Sequence, residues 1–325
     1  MKVPESPELP PHIYVHARRL RVDTATEEVV GALEMAGIRS ILLKGPSIAR
    51  WLYDEQDVRN YSDIDLLVGP QQMAEAERVL TQAGFVFSDP PLIPGDRPHH
   101  ADSWIRHRDG AAVDLHRTII GAQAPPVRVW GVLSGRTDRM QVRGHDVDVL
   151  DIPARCVQIA LHAAHHGAQL GHTLSDLERA LDRVEIEIWR EAAAVAAEID
   201  ALGAYCVGLS LRPNGQQLLS RLSLFAPPSV EAALRVEGAP AALGLEWVIT
   251  ARSPIRKLEL LVRKTFPPPD YIRDWAPFST EGAFGLIRGY LWRVVFLFIN
   301  FVPAMRALRR ARRESGRSPD SYTRR

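Results

Sequence analysis

Ser62-Asp63-Ile64-Asp65-Leu66-Leu67-Val68 is the stretch whose pattern sets the architecture. Acid and aliphatic residues alternate through it, with the period of a strand, and Gly69-Pro70 ends it. Side chains on a strand alternate between two faces, so Asp63 and Asp65 point one way while Ile64 and Leu66 point the other. Two adjacent carboxylates repel each other unless a divalent cation sits between them. Magnesium prefers hard oxygen ligands and completes its shell with water and phosphate, so an Asp-x-Asp strand end is a partial site for it. A third carboxylate lies in Val113-Asp114-Leu115-His116. The segments 104–107 and 111–116 flank Arg108-Asp109-Gly110, and Asp-Gly between strands reads as a hairpin.

Upstream, Ser40–Leu43 reads as a short apolar strand that runs into Lys44-Gly45-Pro46-Ser47 and then a helix over about 46–53. Proline suits a first helical turn, where its missing N–H has no partner anyway. Glycine lets backbone approach a ligand, and a helix start offers free N–H groups to phosphate. Lys44 adds a charge and Ser47 a hydroxyl, so Lys44, Gly45 and Ser47 are candidate nucleotide-binding residues. Arg59 reads either as a holder of phosphate or of the acid strand, or as a surface ion pair with Asp57 or Asp63. His116 shares a strand face with Asp114. It can touch phosphate, pair with an acid, or pack as an ordinary half-buried histidine. Asp63, Asp65 and Asp114 together could hold two metal ions. One would activate an attacking hydroxyl and the other would hold a triphosphate, with Asp114 accepting the proton.

The run K-G-x-S, then R-x-x-S-D-I-D-L-L-V, then V-D-L-H resembles the nucleotidyltransferase-like proteins of the polymerase β superfamily. It is most similar to a bacterial branch described as uncharacterised nucleotidyltransferases. The resemblance spans Ile41 to Leu181 and continues weakly into His162-Ala-Ala-His165-His166-Gly167 and Asp176. It implies an α/β (α+β) fold, a small mixed sheet followed by a helical domain. It also implies that Gly45 and Ser47 form the glycine turn, Asp63 and Asp65 the acid pair and Asp114 the third acid. The implied chemistry is transfer of a nucleoside monophosphate from an NTP to a hydroxyl-type acceptor, with Mg²⁺ as the ion and Mn²⁺ as its substitute. Lys44 before Gly45 and Pro46 after it depart from the Gly-Gly or Gly-Ser turn of many members. Two other readings stay open: a non-catalytic nucleotide- or partner-binding module, and a toxin-like transferase acting on tRNA or protein.

The rest of the chain sets bounds. With 325 residues, 46% apolar and 24% charged, it can bury a sizeable core. A net charge of +1 gives no overall field to draw it to nucleic acid. Cys156 and Cys206 have no metal-ligand or redox spacing and suit a reducing, cytoplasmic setting. We expect a catalytic domain over 1–152, a helical domain over 153–313 and a disordered basic tail over 314–325. Residues 1–11 read as a loose arm and 88–98 as a surface loop. A strand is expected over 142–150, and helices near 153–169, 175–182, 186–202, 215–225, 241–251, 254–264 and 280–299. Ser175 with Glu178 reads as a capping box, and Asp176 as a cap or a substrate contact. His162 and His166 share a helical face and read as a polar wall of the pocket rather than a zinc site; His165 reads as packing or surface. The longest apolar run, Val294–Val302, is too short to cross a bilayer, so no transmembrane segment is expected. That run reads as a core helix ahead of a solvated basic end, with contact to an anionic membrane surface or acidic partner as the alternative.

Overall fold

All five residues of Ile64–Val68 are buried, which places this strand in the middle of its sheet rather than at an edge. In the computed structural model, residues 11–54, 57, 59–88, 100–167, 171–251, 253–276, 278 and 282–316 are described. Their strands are β1 Ser40–Leu42, β2 Ile64–Val68, β3 Val86–Phe87, β4 Ala101–Arg106, β5 Ala111–His116, β6 Thr137–Val142 and β7 His145–Leu150. They form one mixed sheet in the order β3-β4-β5-β2-β1-β7-β6. β2 runs antiparallel to β1 and parallel to β5. Gly110 turns the β4–β5 hairpin with φ +67°, a backbone state that glycine adopts without steric cost.

The first helices are α1 Pro11–Met35, α2 Pro46–Leu52, α3 Met73–Gln82 and α4 Pro126–Leu133. α5 Ile152–His166, α6 Gly171–Arg183, α7 Ile186–Glu198, α8 Leu202–Ser210 and α9 Pro213–Arg221 follow. The last are α10 Val230–Val236, α11 Pro240–Thr250, α12 Pro254–Thr265, α13 Pro269–Trp275 and α14 Gly282–Ser315.

The strand period divides the core in two. Ile64, Leu66 and Val68 join Val113 and Leu115 in a cluster with Val22, Val29 and Leu33 of α1. Leu67 faces the opposite way, into a cluster with Ile41, Leu43 and Leu150 and with Val157, Leu161, Leu177 and Trp189 of the helical half. Asp65 shares the face of Leu67, so the acids open toward α5 and α6. The helical half thus packs on the sheet through one continuous core, which runs across the expected boundary at 152. A third, smaller cluster joins Leu234, Ala242, Ala304, Leu308 and Ala311 of α10, α11 and α14.

Several expectations need correction. The segment 142–150 is not one strand but the end of a hairpin, β6–β7. Arg143 and Gly144 turn it with φ 52° and 88°. α6 starts at Gly171, so Ser175 lies inside the helix and caps nothing. The expected helix over 186–202 is α7, which ends at Glu198 ahead of Asp200 with φ 53°, and α8 over Leu202–Ser210 is a further helix that the sequence pattern did not mark. Proline or serine starts reveal α4, α10 and α13, short helices that an averaged pattern hides. α14 reaches Ser315, so the expected tail begins helical. It is also no core helix, because Phe284, Leu291, Phe298 and Ile299 are exposed. By length and composition alone it suffices to cross a membrane. Residues 1–10, 89–99 and 317–325, which hold most of the expected arm, loop and tail, lie outside the described residues.

Candidate active site

Register brings the acids together. Asp65 of β2 lies directly opposite Asp114 of β5, and His116 opposite Leu67. Neighbouring residues in register on adjacent strands hold their side chains close on one face. The ligand atoms of Asp65, Asp114 and His116 accordingly lie within 4.8 Å of one another. Asp63, just ahead of β2, lines the same cavity of about 840 Å³, together with Lys44, Gly45, Tyr53, Tyr61 and Gln158. Six histidines also line it: His100, His116, His162, His165, His166 and His172.

Asp65 is buried and carries two partners on one oxygen. Lys44 Nζ lies 2.7 Å from its Oδ1, and His116 Nε2 lies 3.0 Å from the same atom. Burial would raise the Asp65 pKa, but Lys44 and His116 overcome it and hold the carboxyl far below its ordinary value. The same pairing works on Lys44: burial opposes its charge, yet Asp65 beside it raises its pKa. Asp63 and Asp114 behave in the opposite way. Burial, followed by repulsion from Asp65, raises both. Ser103 of β4 restrains Asp114 by donating its hydroxyl to Oδ1 at 2.8 Å. The cavity therefore holds more carboxylates than its resident cations offset, all of them hard oxygen donors. That donor set fits Mg²⁺ or Mn²⁺, because a divalent ion would relieve the repulsion that now raises Asp63 and Asp114.

The glycine turn stands beside them. Gly45 has φ 62° and ψ −118°, a conformation costly for any residue with a Cβ. Ser47 departs from expectation. It is buried, and its hydroxyl donates to the Leu43 carbonyl at 2.9 Å and the Lys44 carbonyl at 3.3 Å. It braces the turn from behind rather than presenting its hydroxyl to the cavity. Arg59 lines the cavity, and of its two readings the ion pair with Asp57 or Asp63 does not form. Its Nε and Nη2 grip Asp176 of α6 at 2.9 and 2.8 Å, and Tyr53 donates to the same carboxylate at 2.6 Å. Asp57 pairs with Arg179 instead. Burial opposes the Arg59 charge, but Asp176 raises its pKa. Asp176 is therefore neither a cap nor a free substrate contact; it ties the loop after α2 to the helical half.

The model of a family described as uncharacterised nucleotidyltransferases matches residues 12–212. The chain belongs to that family. The match takes in the glycine turn, all three acids and the helices through α8 of this nucleotidyltransferase, and leaves the C-terminal third outside. Among solved structures, the antibiotic-resistance factor ANT(2'')-Ia is 15% identical, with 55% of this chain and 94% of that one covered and a TM-score of 0.40. The lincosamide antibiotic adenylyltransferase LnuA, solved with lincomycin, is 12% identical, with coverage of 48% and 94% and a TM-score of 0.35. An antigenic nucleotidyltransferase-like protein from Paracoccidioides brasiliensis is 14% identical, with coverage of 62% and 92% and a TM-score of 0.39. Likenesses this remote say nothing about substrate. No curated protein matches the chain.

The structure adds residues to this nucleotidyltransferase's site that the sequence did not single out. Ser103 was readable in principle, because the Asp109-Gly110 turn pairs Arg106 with Ala111 and, three steps on, Ser103 with Asp114. His100, Gln158 and His172 enter the cavity through tertiary packing and carry no local signal. The histidines of α5 stack edge-on, His162 with His166 at 4.6 Å and His165 with His166 at 4.8 Å between ring centroids. Burial is the leading cause that lowers the pKa of all three, so they form a neutral wall at physiological pH.

Proposed function

We propose that this nucleotidyltransferase moves a nucleoside monophosphate from an NTP to a hydroxyl group of its acceptor. The observation that carries this reading is the register pairing of Asp65 with Asp114, in a cavity that also takes in Asp63, Lys44 and Gly45. Asp65 and Asp114, whose oxygens already converge, with Asp63 from the same cavity lining, would hold Mg²⁺, for which Mn²⁺ would substitute. When bound, the metal neutralises the triphosphate and the departing pyrophosphate and acidifies the attacking hydroxyl. The acceptor oxygen bonds to the α-phosphorus, the bond from that phosphorus to the bridging oxygen breaks, and pyrophosphate leaves with its electron pair. Asp114, the carboxyl held by Ser103, takes the hydroxyl proton. Lys44, whose Nζ stands 2.7 Å from Asp65, would supply positive charge to the phosphates, and the Gly45 backbone lets the phosphates approach closely. Arg59 and Tyr53 act through Asp176, holding the cavity wall in place.

Away from the acids the cavity is lined by the neutral α5 histidines, Ile119, Ile120 and Gln158, and we take this wall as the acceptor side. Asp57, the further acid there, is already paired with Arg179. Such a wall suits an uncharged or weakly polar acceptor better than a polycation. The test uses NTP labelled at the α-phosphate, Mg²⁺ and fractionated cell extract. Label should move to an acceptor, and pyrophosphate should appear in equal amount. With Asp65→Asn and Asp114→Asn, both signals should fall on the order of a thousandfold. Transfer at the wild-type rate by either variant would remove these carboxylates from the chemistry. Labelled RNA or protein in place of a small molecule would redirect the acceptor assignment.

A further inference from the structure

α14 carries one face whose character changes along its length, with Pro303 inside the helix between the apolar part and the basic part. Phe284, Ile287, Leu291, Val295, Phe298 and Val302 follow one another at steps of three and four, the spacing of a single helical face. All six are exposed, Phe284 by 79% and Phe298 by 82%. The same steps continue to Arg306, Arg309 and Arg313, which line one concavity with Arg310 and a single acid, Glu314. The apolar part is about 27 Å long and the basic part about 11 Å, at 1.5 Å per residue. Soluble monomers rarely leave a contiguous apolar patch beyond a few hundred Å² in water.

The opposite face of the helix is occupied. Phe296 packs on Trp275 of α13 with ring centroids 5.2 Å apart, and Tyr290 packs on Phe266 beyond α12 at 6.2 Å. Arg293 lies on this side and donates to the Lys264 carbonyl at 3.0 Å. Asn300 also lies there and donates to the Phe296 carbonyl at 2.8 Å. The polar groups of the apolar stretch are thus turned away from the exposed face. Arg288 is the exception, and its guanidinium stacks over Phe278 at 4.7 Å, near the start of the helix.

We propose that this face docks on an anionic lipid bilayer, lying in its interface without crossing it. Phe284–Val302 enters the acyl boundary, and Arg306, Arg309 and Arg313 meet the headgroup phosphates. Charge decides between a bilayer and a second copy of the chain. A parallel copy would set arginine against arginine. An antiparallel copy would lay arginines on Phe284 and Ile287. A bilayer bearing negative headgroups offers both required surfaces side by side. The contacts of α12 and α13 on the opposite face, with Arg293 and Asn300 turned toward them, favour lying over spanning, because a spanning helix would carry those neighbours and polar groups into the acyl core.

The test is sedimentation of the full-length protein with vesicles of phosphatidylcholine, with and without phosphatidylglycerol. The wild type should pellet with the anionic vesicles and only weakly with the neutral ones. Phe298→Glu should lower partitioning on the order of tenfold or more. Arg306→Glu, Arg309→Glu and Arg313→Glu together should abolish the preference for phosphatidylglycerol, a loss of about a hundredfold. Because none of these residues lines the catalytic cavity, circular dichroism and nucleotidyl transfer in solution should stay at wild-type levels. The idea is overturned if the wild type stays in the supernatant with every vesicle. It is equally overturned if light scattering shows a dimer that Phe298→Glu splits, or if bound protein resists alkaline carbonate as a spanning helix would.

Discussion

Asp65 is where the residue-scale argument is most constrained. One oxygen accepts from Lys44 Nζ and faces His116 Nε2, so replacing Asp65 by Asn leaves the buried Lys44 charge without its counter-charge and would deprive a metal of a ligand. Asp65→Asn should therefore cost activity and some stability, while Asp114→Asn, whose contact is Ser103, should cost activity with little change in melting temperature. Thermal unfolding beside a pyrophosphate-release assay separates the two, and equal destabilisation by both would contradict the asymmetry seen in the contacts. Ser103 tests a finer point. Its hydroxyl orients the Asp114 carboxyl without reaching the cavity chemistry itself, and removing such a supporting partner costs about 10- to 100-fold. Ser103→Ala should lower kcat within that range and leave KM for the NTP nearly unchanged. A rise in KM with kcat intact would mean that Ser103 touches the nucleotide. The acids themselves were legible in the sequence because a strand's two-residue period assigns faces without any knowledge of the partner strand. Ser47 misled for a related reason: a hydroxyl beside a glycine turn can face either the ligand or the carbonyls behind it, and spacing does not choose between them.

At the scale of elements, the clamp between the loop after α2 and α6 deserves the weight that a motif search would give to the acids. Arg59 is 7% exposed and Asp176 3%, and Tyr53 closes on the same carboxylate. Breaking a buried pair by removing one partner leaves an uncompensated charge and costs about 3–5 kcal/mol. Asp176→Ala should destabilise the protein by that order in urea unfolding, and Arg59→Ala should do the same. The double variant should cost clearly less than the sum, because neither charge is then stranded. Additive losses would show that the two residues stabilise the fold independently. Nothing local in the sequence joins residue 59 to residue 176. Arg59 had plausible acidic partners nearby in the chain, and the fold supplied a distant one. Helices with a long periodic pattern, such as α5, were legible within a few residues. Of the short ones, α2 was legible through its Gly45-Pro46 turn, but α4, α10 and α13 were not, because they hold seven or eight residues each and give a periodic signal little room. The exposure of α14 was illegible for another reason: an apolar run looks the same whether protein or lipid covers it.

The whole molecule has a pH dependence that follows from where the helical half meets the sheet. His165 sits on α5 between His166, His100 and Arg235, whose Nη1 donates to its Nε2 at 3.3 Å. Burial, then the neighbouring Arg235 charge, pushes its pKa down to about 3 from the ordinary 6.5. The unfolded chain therefore binds a proton between about pH 6.5 and pH 3 that the native protein refuses. Stability from this group is complete above pH 6.5 and falls as the pH drops through that window, with a slope of at most about 1.4 kcal/mol per pH unit for one proton. His162 and His166 are lowered as well and steepen the same decline. Urea midpoints measured from pH 7.5 down to pH 5 should fall for the wild type. His165→Gln keeps an acceptor for Arg235 but cannot take the proton, so its decline should be shallower by the share of one group. The carboxylates work over a lower range: Asp148, paired with Arg39 and Arg139, is held below its ordinary pKa, and its contribution is lost only near and below pH 4. A loss between pH 7 and pH 5 that His165→Gln leaves unchanged would mean that this imidazole protonates as readily in the folded protein as in the open chain, and that the α5 histidines stand in water rather than forming a neutral wall to the cavity.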